Sequence, residues 1–146
     1  MVTRLDVIRE ARALIGTPFR HAQRVPGEGV DCIGCIVLPG QAAGLPVVDR
    51  TDYGPRPNPR QLLRHIPPSF ERIEIGTEQP GDVLLFWFLG PKIPQHAGLV
   101  VDRPQAPRGL GLLHAYQDIG RVQEVDLDGY WLERVHSAWA YRGLEE

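Results

Sequence analysis

Asp31-Cys32-Ile33-Gly34-Cys35-Ile36-Val37-Leu38 is the stretch on which the reading of this chain turns. An acidic residue stands just before an apolar run. That is the position of a helix N-cap, whose side chain accepts N–H groups that no earlier turn can satisfy. The run reads as the start of a helix with Cys32 in its first turn, and Pro39 and Gly40 leave its far end open. A thiol attacks a carbonyl only as thiolate. The unpaired N–H groups and dipole of a helix N-terminus favour that anion, and an adjacent imidazole adds to the effect. Cys32 is therefore a candidate nucleophile, with a lowered pKa expected if a histidine stands beside it.

Working outward, residues 3–15 read as a helix capped by Thr3. Leu5, Val7, Ile8, Ala11, Leu14 and Ile15 form one apolar stripe, and Gly16-Thr17-Pro18 stops it. A polar loop with Pro26, Gly27 and Gly29 leads to the cysteine. Beyond the second helix, Pro46, Gly54, Pro55, Pro57 and Pro59 mark 46–59 as an extended surface loop. Pro59 opens a short helix to His65, which Pro67-Pro68 ends. The second half changes character. Gln79-Pro80-Gly81-Asp82 is a turn, and strands are expected over 83–89, 95–101, 111–116, 121–127 and 137–142. Helices first and strands later imply an α+β fold, with the cysteine helix packed on an antiparallel sheet, in one domain over 1–146.

With 42% hydrophobic and 23% charged residues the composition is that of an ordinary globular protein. The net charge of -2 favours no polyanionic partner, so nucleic acid is not expected. No run approaches the roughly 18 apolar residues of a membrane span, so no membrane insertion is expected. The first twelve residues, with Arg4, Asp6, Arg9, Glu10 and Arg12, read as an amphipathic helix and not as a signal peptide. The expectation is a chain made in the cytoplasm, with any export by another route.

Five histidines are candidates for the partner of Cys32. His96 opens the apolar strand Gln95-His96-Ala97-Gly98-Leu99-Val100-Val101, where small residues leave room for close approach. His114 lies in Leu112-Leu113-His114-Ala115-Tyr116. If those strands pair, one imidazole can fix the tautomer of the other, the third role of a catalytic triad. His21, His65 and His136 read as surface or structural residues, and Trp87, Trp131 and Trp139 as core or interface aromatics. The residues alone leave alternatives open. Cys32 is also compatible with an inert core position. Cys32-x-x-Cys35 has the spacing of a redox motif, although the surrounding βαβ pattern is absent. A zinc site of Cys32, Cys35, His96 and His114 is a further arrangement. Cys35 reads as a packing residue one turn past Cys32.

Asp31-Cys32-Ile33-Gly34, His96-Ala97-Gly98-Leu99-Val100 and His114-Ala115, in that order, resemble the signature of the NlpC-type cell-wall peptidase superfamily. Ile15-Gly16-Thr17-Pro18-Phe19 is similar to the superfamily's Gly-x-Pro-Tyr stretch, and Gln79 to Phe86 to its Pro-Gly-Asp-Leu segment. The resemblance covers about residues 5–142. It implies a papain-like α+β core and hydrolysis of peptide bonds in peptidoglycan stems. Cys32 would be the nucleophile, His96 the base and His114 the orienter, with Asp31 as helix cap, and no metal or other cofactor. The Cys32 N–H would hold part of the oxyanion. Phe19 stands where the superfamily has tyrosine and His21 where many members have tryptophan; both are candidates to line the substrate cleft. Ile33, in place of serine, resembles the tail-associated peptidases of tailed phages and gene transfer agents. So does the ending Gly120 to Val125 and Ala138-Trp139-Ala140-Tyr141-Arg142. That resemblance implies local wall opening during DNA delivery, other tail proteins as partners and a place in the tail. The alternative is a structural tail-tip component that keeps the fold without the activity.

Overall fold

The structure, a computed structural model of the chain, describes residues 1–54 and 59–145. Helix α1 spans Arg4–Arg12. Thr3 Oγ1 accepts the Asp6 N–H while the Asp6 carboxylate accepts the Thr3 N–H, which closes a capping box. The helix is shorter than the expected 3–15. Ala13 caps it, and Gly16 turns the chain at a φ of 92°, so that its N–H reaches the Val122 carbonyl. Val7, Ile8, Ala11 and Leu14 are buried, but Leu5 and Ile15 face outward, so the apolar stripe is narrower than the sequence implies.

A small hairpin of β1 (Arg24–Val25) and β2 (Gly29–Val30) precedes α2 (Gly34–Ala43). Pro39 does not end α2, which continues to Gly44 in left-handed conformation. Proline leaves a carbonyl of the preceding turn without its usual donor. Nearby, the Tyr141 hydroxyl donates to the Ile36 carbonyl at 2.5 Å and ties α2 to the last strand. Helix α3 covers Pro59–His65, as expected; Pro55 and Pro57 lie outside the described residues.

Among the described residues, six strands form one antiparallel sheet. They are β3 (Phe70–Ile73), β4 (Val83–Phe86), β5 (His96–Asp102), β6 (Leu110–Tyr116), β7 (Arg121–Asp126) and β8 (Val135–Tyr141), in the spatial order β3-β8-β4-β5-β6-β7. The one-turn helix α4 (Gly129–Leu132) precedes β8. The α+β arrangement with helices on an antiparallel sheet is the one expected. Two details differ. β4 stops at Phe86, short of the expected Leu89, because the Trp87 N–H turns to the Arg134 carbonyl and those of Phe88 and Leu89 to Gln95 Oε1. The edge strand β3 was not anticipated, since four residues are too few to show a period.

The period-two alternation of the strands sorts their side chains into two cores. Leu85, Ala97, Leu99, Leu113 and Ala115 join Val7 of α1 and Ile36 of α2 on one face. Leu84, Phe86, Val100 and Leu112 join Leu127 and Trp131 on the other. β4 is buried on both faces, which explains its unbroken apolar run.

Candidate active site

α2 starts at Gly34, later than the sequence implies, so Cys32 lies in the turn that leads into the helix and not in its first turn; Asp31 holds that turn. Its Oδ1 accepts the Gly34 N–H at 2.9 Å, and its carbonyl accepts the Cys35 N–H at 3.0 Å. The carboxylate is buried and every acceptor position is in use. Oδ1 also takes the Arg24 guanidinium at 2.9 Å; Oδ2 takes the Ala22 N–H at 2.8 Å and a short hydrogen bond from the Tyr53 hydroxyl. Arg24 donates further to Asp49 at 2.8 Å and to the Tyr53 hydroxyl at 2.8 Å. Burial works against the guanidinium charge, but Asp31, Asp49 and Tyr53 outweigh it and raise its pKa. His65 approaches Asp49 at 3.2 Å.

Cys32 is half-buried and packs against the main core. Its sulfur faces the backbone N–H groups of Ala97 and Ile33, and that of Cys35 faces the Ala115 N–H. Strand pairing explains why those groups are free to do so. The β5–β6 ladder runs from Asp102–Leu110 to Leu99–Leu113 and stops. Gly98 and His114, then Ala97 and Ala115, would pair next; instead the Cys32 thiol lies by the Ala97 N–H and the Cys35 thiol by the Ala115 N–H. The cysteine turn therefore sits at the open end of the β5–β6 pair, one residue along β5 from His96.

The two imidazoles are together, as the pairing argument expects. His96 Nε2 lies 2.7 Å from His114 Nδ1. Gly98 makes that approach possible, since a Cβ there would fall 2.4 Å from Leu112 Cδ1 and 3.3 Å from His114 Cβ. Both rings share the parity of Phe86, Val100 and Leu112, the second core. They are enclosed by the rings of Phe88, Tyr116 and Trp131, with Trp131 at 5.6 Å from His96 and 4.9 Å from His114. His114 Nε2 is buried and has no hydrogen-bond partner among the described residues; the ring stands edge-to-face with Trp131 at 88°.

Titration at the site departs from the expectation of a lowered thiol pKa. Burial, then the Asp31 carboxylate, pushes the Cys32 thiol up to about 12, against the pull of the Ala97 N–H, Arg24 and the Ile33 N–H. Burial, then the neighbouring imidazole, holds His96 well below its ordinary value. Burial brings His114 down to about 4. The Ala97 N–H, Arg24 and the Ile33 N–H favour the anion, but desolvation of the sulfur is the larger effect, and burial favours a neutral thiol and neutral imidazoles.

Phe19 is half-buried against the main core. His21 is exposed; its Nε2 lies 3.2 Å from the Tyr53 carbonyl, and its ring meets the Tyr53 ring edge-on at 5.2 Å. The sequence reading missed Arg24, Tyr53, Asp49 and the enclosing role of Trp131. It also took 46–59 wholly as surface loop, whereas Tyr53 is half-buried on Asp31. One signal was present. A Cβ on Gly34 would lie 3.1 Å from Arg24 Nη1, so the glycine of Asp-Cys-Ile-Gly marks the crossing of a side chain. Among the described residues no group of three or more His, Cys, Asp or Glu is arranged to hold a metal, and no helix is long and apolar enough to cross a membrane.

No family model matches the chain, and no curated protein does. Solved structures do. An NlpC/P60 family protein from Bacillus cereus superposes with a TM-score of 0.69 at 18% identity, over 95% of this chain and 40% of that one. The chain thus spans well under half the length of that relative. The peptidoglycan hydrolase RipB from Mycobacterium tuberculosis gives 0.62 at 17% identity, over 98% of this chain and 65% of that one. RipD from the same organism, described as a non-catalytic NlpC/p60 domain protein adapted to peptidoglycan binding, gives 0.58 at 17% identity, over 97% of each chain. With a capped cysteine turn set on an antiparallel sheet that carries two joined histidines, the chain has the papain-like fold of the NlpC/P60 superfamily.

Proposed function

We propose that residues 1–146 form one cysteine peptidase domain that hydrolyses peptide bonds in peptidoglycan stems. The observation that carries this reading is the turn of Cys32, held by Asp31 and set by Ala97 of β5, the residue after a His96 whose Nε2 is engaged by His114. Engagement of Nε2 leaves Nδ1 of His96 for the thiol proton. For Nδ1 to accept it, the His96 proton sits on Nε2 and is donated to His114 Nδ1. His114 then carries its own proton on Nε2, the nitrogen that stands without a partner beside Trp131.

Attack starts from the neutral pair. As sulfur adds to the carbonyl carbon, its proton passes to His96 Nδ1, and the oxyanion forms at the Cys32 N–H. His96 returns the proton to the leaving amine, giving an acyl-enzyme. Water, deprotonated by His96, then releases the acid and restores the thiol. No cofactor takes part in this scheme.

The test is digestion of purified peptidoglycan, followed by mass measurement of the stem peptides. Wild type is expected to cleave, and Cys32→Ser and His96→Ala to lose activity on the order of 10⁴-fold. Cleavage retained in either variant would sink the assignment. A second reading, a non-catalytic wall-binding or structural component, is favoured by the thiol held near 12 and by imidazoles only 4% and 1% exposed. Wall binding without cleavage by wild type would establish it. The closing sequence pattern supports a place in a phage or gene-transfer-agent tail, tested by mass analysis of purified tails.

A further inference from the structure

The peptidase reading leaves Arg24 unused, although it is the most heavily bonded cation near Cys32. A capping carboxylate is an awkward neighbour for a nucleophilic thiol. Asp31 organises the turn through the Gly34 N–H, yet its negative charge opposes formation of a thiolate on the next residue. Arg24 lies on the other side of that carboxylate, 2.9 Å from Oδ1, with its side chain 12% exposed. Its place is built in: Asp49 holds Nε at 2.8 Å, Tyr53 takes Nη2 at 2.8 Å, and the guanidinium passes α2 at Gly34, where a Cβ would lie 3.1 Å from Nη1.

We propose that Arg24 is a positioning residue for the Cys32 thiol, acting through Asp31: it cancels the capping carboxylate's charge, so that the turn stays capped while a thiolate can form beside it. The inference rests on Cys32 being the reactive residue, but not on the identity of the substrate. The charged and titratable groups on the elements packed about the cysteine turn include these. On the α2 and loop side they are Asp31, Arg24, Asp49, Tyr53, His65 and Cys35. From β5 and β6 they are His96 and His114, both neutral in alkaline solution because burial holds their pKa values down.

The experiment is a double-mutant cycle read as the rate of Cys32 alkylation by iodoacetamide at pH 9, with peptide mapping to separate Cys32 from Cys35. That rate follows the thiolate fraction. Loss of a buried opposite charge moves a pKa by about 1–3 units, so R24Q is expected to slow labelling about tenfold or more. D31N alone is expected to speed labelling, and R24Q in the D31N background to bring the rate back toward that of wild type, because the two charges act on the sulfur in opposite directions. R24K, which keeps the charge but not the fork, should recover most of the rate. Equal rates in wild type and R24Q would overturn the proposal, as would slower labelling in D31N than in wild type. If circular dichroism shows R24Q unfolded, Arg24→Met, which keeps the length of the stem without the charge, carries the test in the wild-type and D31N backgrounds. A chain that obeys the cycle but never cleaves wall would refute the peptidase reading and leave the Arg24 inference standing.

Discussion

The two sides of the candidate site are built on opposite principles. On the cysteine side every acceptor of Asp31 is filled, by two backbone N–H groups, a guanidinium and a phenol hydroxyl. On the histidine side the imidazoles have one hydrogen bond between them, a wall of aromatic rings and an orphaned Nε2. Charge holds the first side in place, whereas exclusion of water defines the second. Both favour a neutral resting state, by different means. Asp31 adds to the burial that keeps the thiol protonated, and burial keeps the imidazoles unprotonated. A site of this kind stores no ion pair, and under the proposed peptidase function it would move its proton during attack.

Three changes would break or sharpen that contrast. The largest effect is expected from Trp131→Ala, which removes the ring common to both imidazoles and to the second core. Loss of a buried tryptophan costs about 3–5 kcal/mol, read by urea denaturation. Imidazole titration by nuclear magnetic resonance should show His114 moving from about 4 toward its ordinary 6.5. A His114 that still titrates near 4 in this variant would mean that the rings are not what excludes water.

Next is the pH dependence of stability. The folded pKa of His114 lies below its ordinary 6.5, so between about 6.5 and 4 the unfolded chain binds more protons. The stabilisation is therefore complete above 6.5 and is lost as pH falls toward 4, by about 3 kcal/mol from this residue alone. His96 adds in the same direction. Denaturation midpoints that stay level across that window would contradict the enclosure of the pair.

The smallest effect belongs to the charged side. Tyr53→Phe removes one donor from Asp31 and leaves the others, for a loss of about 2 kcal/mol, within the range for a hydrogen bond to a charged group. Any loss above that of Trp131→Ala would reverse the comparison and make the charged side the keystone.

Much of this was legible in the chain before folding was considered. Asp31 before an apolar run is a local capping signal, and the geometry obeys it through Gly34. The joined histidines were legible as strand residues beside small ones, and Gly98 explains the closeness. Arg24 and Tyr53 were not legible, because they reach Asp31 from 7 and 22 residues away through a hairpin and a proline-rich loop with no period. Trp131 was equally hidden, on a helix of four residues. The direction of the thiol shift was misjudged for a related reason. A helix N-terminus is visible in sequence, while the depth at which a fold buries its first turn is not.

The chain by itself therefore determined the order of elements, the cap on the cysteine turn and the strands that bear the imidazoles. Each depends on neighbours a few residues apart and on the periods of helix and strand. Tertiary structure decided the protonation of the site, the opening of β5 from β6 that seats both thiols, and the arginine across Gly34. Those follow from burial and from contacts between distant segments, which exist only once the chain has closed on itself.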